Sequence, residues 1–423
     1  MPDSSEKPHL EIIDSSHQQQ IAEFINQDFA ETSSSSIDIE SDFWQGLNNA
    51  GTELWLDTGD IEAVDNGLWN TAFSGLTTNN TLLNKEIQKG IYDSLVADAR
   101  DVLKDLDTKT RIIEAAFILN ARHGLRLVNK FGAKVSVELH TACAHDIEAS
   151  LAYGRRFHAI DPDNFIIKIP LTAEGLIATR ILRQEGVTIN FTLEFGARQN
   201  YVAARFAQPS YVNVFLGRLN SYIQSNGLGD GKYIGEKATL ASQRGLEEIR
   251  QNFGIDTRQI AASLRSPDQI ASLAGVDVHT IPAKVAADAP GELSGKWSNN
   301  RKQDYPVQFA SPGVEEDARV TALWEISNEI KSFADSIAHI APQSGEELIE
   351  RANEMKVGDL FPGLTEEEFA RIAADGKIPR HDTWDDHIRK GAAAIDSLLN
   401  LAGLASFATD QKALDERIAS ILK

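Results

Sequence analysis

A single cysteine, Cys143, and two methionines in 423 residues leave little room for sulfur chemistry. One thiol cannot form an intramolecular disulfide, so no disulfide framework supports the fold, and a reducing cytoplasm suits the chain. No run approaches the roughly 20 apolar residues of a membrane span. The opening residues, Met1 to Pro8, carry neither the basic stretch nor the apolar core of a secretory signal. The sequons at Asn79 and Asn190 are therefore read as chance matches. Positive charge is also scarce. Lys and Arg total 41 against 62 Asp and Glu, a net charge of −21, which argues against a nucleic-acid or phospholipid surface as the main partner. Any cluster of arginines at an anionic-ligand site is then a local exception to be explained.

What remains is the composition of a globular chain with a regular internal rhythm. Residues 1 to about 50 read as an N-terminal extension, with a short helix over Ile21–Phe29 and a flexible serine run, Ser33 to Ser36. From 51 to 285, short apolar runs alternate with helical stretches. The runs are Leu54–Asp57, Leu76–Asn79, Val135–Leu139, Phe165–Ile169, Thr188–Phe195, Tyr211–Gly217, Ile260–Leu264 and Val278–Pro282. Alternation on this scale predicts an α/β fold, a (β/α)8 barrel, with an open doubly wound sheet as the alternative. Residues 286–319, rich in Pro, Gly, Ser and charge, read as a loop or lid. Residues 320–423 read as additional C-terminal helices, with helical spacing over Val320–Ile340 and capping-box pairs at Ser344/Glu347 and Thr365/Glu368.

Lys168 stands inside the apolar run Phe165-Ile166-Ile167-Lys168-Ile169-Pro170. Taking an ammonium out of water is costly, and burial lowers a lysine pKa from about 10.4, favouring the neutral amine that can form a Schiff base. Strand alternation sorts the other runs into two faces. One face is apolar. The other gathers Asp57, Asn79, Glu138, Lys168, Asn190, Thr192 and Asn213, with Phe215 on the Asn213 face, Arg218 just past its strand, and Ser263 aligned with Arg265. Such a set fits the mouth of a barrel lumen, where active sites form. A neutral lysine amine can hold a sugar carbonyl as an imine, and a carboxylate beside it can move a proton. Two arginines suit a phosphate.

The segments Leu56-Asp57-Thr58-Gly59-Asp60, Thr77-Thr78-Asn79, Val137-Glu138, Ile167-Lys168-Ile169-Pro170, Asn190-Phe191-Thr192-Leu193, Phe215-Leu216-Gly217-Arg218 and Ala262-Ser263-Leu264-Arg265 resemble the transaldolase family, in order and spacing, over about 54–284. The resemblance implies a metal- and cofactor-free class I aldolase that moves a dihydroxyacetone unit between sugar phosphates, such as sedoheptulose 7-phosphate and glyceraldehyde 3-phosphate. It implies Lys168 as Schiff-base former, Asp57 as acid/base, and Glu138 with Thr192 holding a water. It further implies Asn79, Asn190, Asn213 and Phe215 at the substrate, and Arg218, Ser263 and Arg265 at the phosphate. A homodimer is implied as well. Three departures stand out: Asn80-Thr81 replaces the usual Pro-Ser, Asn213 stands where serine is usual, and Glu194 puts an acid at an expected apolar position. Rival readings are a zinc aldolase using His140, Cys143, His145 and Asp146, a non-catalytic sugar-phosphate-binding barrel, and a related aldolase for another sugar phosphate or a sulfosugar. The loop Gly227–Gly231, after the sixth run, lacks nucleotide-site spacing and reads as plain loop.

Overall fold

The computed structural model describes residues 10–27, 40–65 and 67–423. The serine run and the opening residues lie outside these. Eight parallel strands close into a barrel in sequence order: β1 (Glu53–Asp57), β2 (Phe73–Thr77), β3 (Lys134–Glu138), β4 (Phe165–Pro170), β5 (Ile189–Thr192), β6 (Tyr211–Phe215), β7 (Arg258–Ala262) and β8 (Val278–Pro282). This is a (β/α)8 barrel with added helices, and the open-sheet alternative is excluded by the pairing of β1 with β8.

Alternation divides the strands as expected except at β7, where Ile260 and Ala262 face the lumen and Ser263 lies past the strand end. Leu54, Leu56, Val135, Val137, Ile167, Ile169, Phe191, Val212 and Val214 join the large apolar core shared with the surrounding helices. A second, separate cluster of Trp55, Ile166, Tyr211, Ile260, Ala262 and Val278 fills the lumen. Trp55 and Tyr211 meet edge to face at 4.8 Å between ring centroids. A Cβ at Gly75 would lie 2.8 Å from the Trp55 ring, so only glycine lets the indole pass over β2. The floor of the lumen is therefore packed, closed at its N-terminal end by the Glu53–Arg258 pair, and the candidate polar side chains gather at its C-terminal mouth.

Several strand ends differ from the sequence reading. β2 begins at Phe73 and stops at Thr77; Asn79 instead caps helix Asn80–Gln88, its Oδ1 accepting from the Leu82 amide at 2.9 Å. β5 stops at Thr192 because Leu193 turns into the left-handed region, φ 69°. β6 stops at Phe215 and runs straight into helix Leu216–Ser225, so Arg218, expected just past its strand, lies in that helix's first turn.

The segment after helix Ala283–Glu292 lacks helix and strand up to residue 313, but it is no lid over the mouth. Asn299 donates to the Ala50 carbonyl at 3.0 Å, and Arg301 pairs with Asp277 at 2.7 Å; both partners precede strands β1 and β8. Residues 299–301 thus lie at the opposite end of the barrel. Loop 227–231 follows helix Leu216–Ser225 and is pinned to the segment after residue 292 by a Gly229–Phe309 bridge. The 320–340 stretch splits into a 3-10 turn, Val320–Leu323, and helix Asn328–His339. Thr365 and Glu368 form the expected capping box.

The last helix, Ile395–Leu422, lies across the mouth. Asn400 donates to the carbonyls of Leu171 and Leu193, just beyond β4 and β5, at 3.0 Å each. Asp410 accepts from Thr81, and Arg417 pairs with Asp93. Its first turn is fixed by a buried ion network. Arg198 grips Asp396 with two bonds of 2.8 Å and reaches Asp359 at 3.0 Å. No helix among the described residues is long and apolar enough to cross a membrane.

Candidate active site

Lys168 lies on β4 with its side chain in the lumen, 4% exposed. Its register partners are Glu138 on β3 and Asn190 on β5. The ammonium donates to the Thr78 carbonyl at 3.1 Å and stands 3.9 Å from Glu138 Oε2. A cavity of about 280 Å³ opens beside it, lined by Asp57, Asn79, Asn213, Phe215, Arg218, Ser263 and Arg265 among others. Eight of the eleven candidate residues, Lys168 included, thus surround one space. The other three, Glu138, Asn190 and Thr192, are fully buried and do not line it.

Burial raises the Glu138 carboxyl to about 7, against the pull of Lys168 and the Asn80 amide. Its Oε2 and the Thr192 hydroxyl have no protein hydrogen-bond partner. Two buried polar groups left open in this way suit a shared small donor such as water. Asp57 is also raised by burial, opposed by Lys168 and the Thr77 hydroxyl. Thr77 donates to Asp57 at 2.9 Å and meets Thr280 at 2.6 Å, which orients the carboxyl. Sequence reasoning missed this pair of threonines, although alternation along β8 places Thr280 on the lumen side with Val278.

Asn190 donates to Ser136 at 3.0 Å and accepts from Asn213 at 2.7 Å. Its amide is therefore engaged by protein on both sides, and Asn213 is the member of the pair that faces the cavity. Glu194 is wholly buried with both carboxyl oxygens unpartnered, and burial pushes its pKa well up.

Arg218 is buried, its Nη1 is unpartnered, and burial and the nearby Arg265 lower its pKa to about 10. Helix Leu216–Ser225 packs so closely on the turn after β7 that a Cβ at Gly217 would sit 2.1 Å from the Ser263 carbonyl oxygen. Ser263 itself has φ 62°. That left-handed turn, rather than strand alternation, brings Ser263 to the cavity. A helix N-terminus flanked by two guanidinium groups is well suited to an anion.

The residues of the zinc reading turn to separate partners. His140 Nε2 meets Asp415 at 3.2 Å, His145 meets Glu174 at 3.1 Å, and Cys143 is buried with its thiol pKa pushed up by burial.

The sequence model of the transaldolase/fructose-6-phosphate aldolase family matches residues 54–342, more than half of the chain. The chain belongs to this family. Relatives named as transaldolases or probable transaldolases include those of Thermus thermophilus (34% identical over 237 residues, 55% of this chain and 88% of that protein). Another is from Agathobacter rectalis (32% over 235 residues, 55% and 87%). One from Synechocystis is 27% identical over 365 residues, covering 83% of this chain and 85% of that protein. The protein is thus an enzyme of the transaldolase type, a transferase. The family match spans all eight strands and ends before the last helices.

Proposed function

We propose that this enzyme transfers a dihydroxyacetone unit from a ketose phosphate to an aldose phosphate through a Schiff base on Lys168. Sedoheptulose 7-phosphate or fructose 6-phosphate is the donor, and glyceraldehyde 3-phosphate or erythrose 4-phosphate the acceptor. This is a reaction of the pentose phosphate pathway, placed in the cytoplasm. The observation that carries the reading is the buried Lys168 amine beside Glu138, sharing one cavity with Asp57 and two arginines.

The Lys168 nitrogen attacks the ketose carbonyl, and the carbonyl oxygen leaves as water. Glu138, with a pKa of about 7, can both take and return the protons of that step near neutrality. Thr192 shares with it the water that shuttles them. Asp57 then removes the C4 hydroxyl proton. The C3–C4 bond breaks, its electron pair moves into the imine to give an enamine, and the aldose leaves. The enamine attacks the acceptor aldehyde, Asp57 returns the proton, and water releases the new ketose. Arg218, Ser263 and Arg265 hold the phosphate, while Asn79, Asn213 and Phe215 contact the sugar and Asn190 supports Asn213. Separate environments let two carboxyls divide the work.

Turnover of fructose 6-phosphate with erythrose 4-phosphate tests the reading. Wild-type protein should produce sedoheptulose 7-phosphate, and Lys168→Ala should not. A Lys168→Ala protein with full turnover would rule the mechanism out.

A further inference from the structure

Besides Arg218 and Arg265, the cavity is lined by Lys85, on helix Asn80–Gln88, and by Lys377. Lys377 lies between helices Glu366–Asp375 and His381–Arg389, beyond residue 342, where the family match ends. None of these four cations forms an ion pair within 4.0 Å among the described residues, although the chain carries a net charge of −21. Some lysines elsewhere are paired, as Lys89 is with Glu86, Lys331 with Glu248 and Lys390 with Asp386. Asp410, on the last helix, accepts from Thr81 and attracts Arg218 and Lys377 without an ion pair to either. Unpaired like charges on one cavity repel unless an anion joins them.

We infer that Lys377, with Lys85, captures the substrate phosphate at the rim and passes it to Arg218 and Arg265, so that position 377 sets the preference for phosphorylated sugars. The inference rests on the transferase reading and adds a specificity-determining residue from the appended helical segment. The mutual repulsion is already felt at Lys377, whose pKa is lowered by partial burial and then by Arg218, Lys85 and Arg265, with Asp410 opposing. Phe407, from the last helix, closes the same wall and lies 5.9 Å from the Arg218 guanidinium.

The test compares Lys377→Gln with wild type, using glyceraldehyde 3-phosphate and D-glyceraldehyde as alternative acceptors at saturating donor. KM for the phosphorylated acceptor should rise about fivefold, the scale of one exposed charge contact, with kcat held within about twofold. KM for D-glyceraldehyde should stay put, and Lys377→Arg should restore the wild-type KM. Lys390→Gln, which removes a paired lysine away from the cavity, controls for net charge. An unchanged KM for the phosphorylated acceptor, or an equal rise for both acceptors, overturns the inference. Titration with inorganic phosphate by calorimetry separates this outcome from failure of the transferase reading. If wild type turns over no sugar phosphate yet binds phosphate about fivefold tighter than Lys377→Gln, the capture site stands and the reaction assignment falls. Equal phosphate affinity sinks the capture site.

Discussion

Replacing Glu138 with Gln removes a carboxyl whose pKa rises, through burial, from an ordinary 4.5 to about 7. At about 1.36 kcal/mol per pH unit, that rise makes the ionised form cost roughly 3 kcal/mol in the folded protein. Glu138 is only 2% exposed, so solvent screening removes little of this cost. Between pH 4.5 and about 7 the folded chain holds a proton that the unfolded chain has released. Stability from this group is therefore fully present below 4.5 and lost as pH rises through 7. Glu138→Gln has no such proton. Its urea midpoint should gain on wild type across that window, reaching an advantage of about 1–3 kcal/mol near pH 8 relative to pH 4.5. Activity should move the other way. Loss of a general acid/base costs roughly 10²–10⁴-fold, and the limb of the rate profile near pH 7 should vanish. A stability difference that stays flat over this range, or a surviving limb near 7, would refute the reasoning.

Asp57→Asn should lower turnover by about 10²–10⁴-fold while leaving imine formation on Lys168 intact, because Asp57 acts after the imine forms; loss of imine trapping in this variant would contradict that order. Arg198→Ala leaves Asp396 buried without its ion-pair partner and Asp359 with Arg319 alone, and should cost about 3–5 kcal/mol in denaturant unfolding. A loss below about 1 kcal/mol would show that the network does not anchor the last helix. Gly217→Ala would place a Cβ 2.7 Å from the Arg265 Cγ and should cost about 1–3 kcal/mol and raise KM for phosphorylated sugars. An unchanged KM would mean that Ser263 and Arg265 do not position the phosphate.

The barrel was legible because each strand packs apolar residues outward against helices, a requirement that imposes a period of two on runs such as Val135 to Glu138. Strand ends were less legible. Leu193 and Ser263 adopt left-handed backbone that side-chain chemistry does not announce, and Gly75 hides the start of β2 by yielding its place to Trp55. The candidate site was readable where chemistry is unusual for its setting, as with Lys168 in an apolar strand. Thr77 is legible only as part of a motif and Thr280 not at all, because threonine is ordinary in strands, and only their meeting at 2.6 Å reveals their role. Lys377 and Phe407 could not be found from local pattern at all. They reach the cavity only because the last helices fold back over the mouth, through contacts such as those of Asn400 with the ends of β4 and β5.

The central claim is that Lys168 bonds covalently to the donor sugar. Borohydride reduction of the enzyme with fructose 6-phosphate, followed by peptide mass analysis, tests it directly. The account expects a reduced three-carbon adduct on the peptide bearing Lys168 and on no other lysine. An unmodified Lys168 in an enzyme that turns over the same sugar, or an adduct elsewhere, would contradict it.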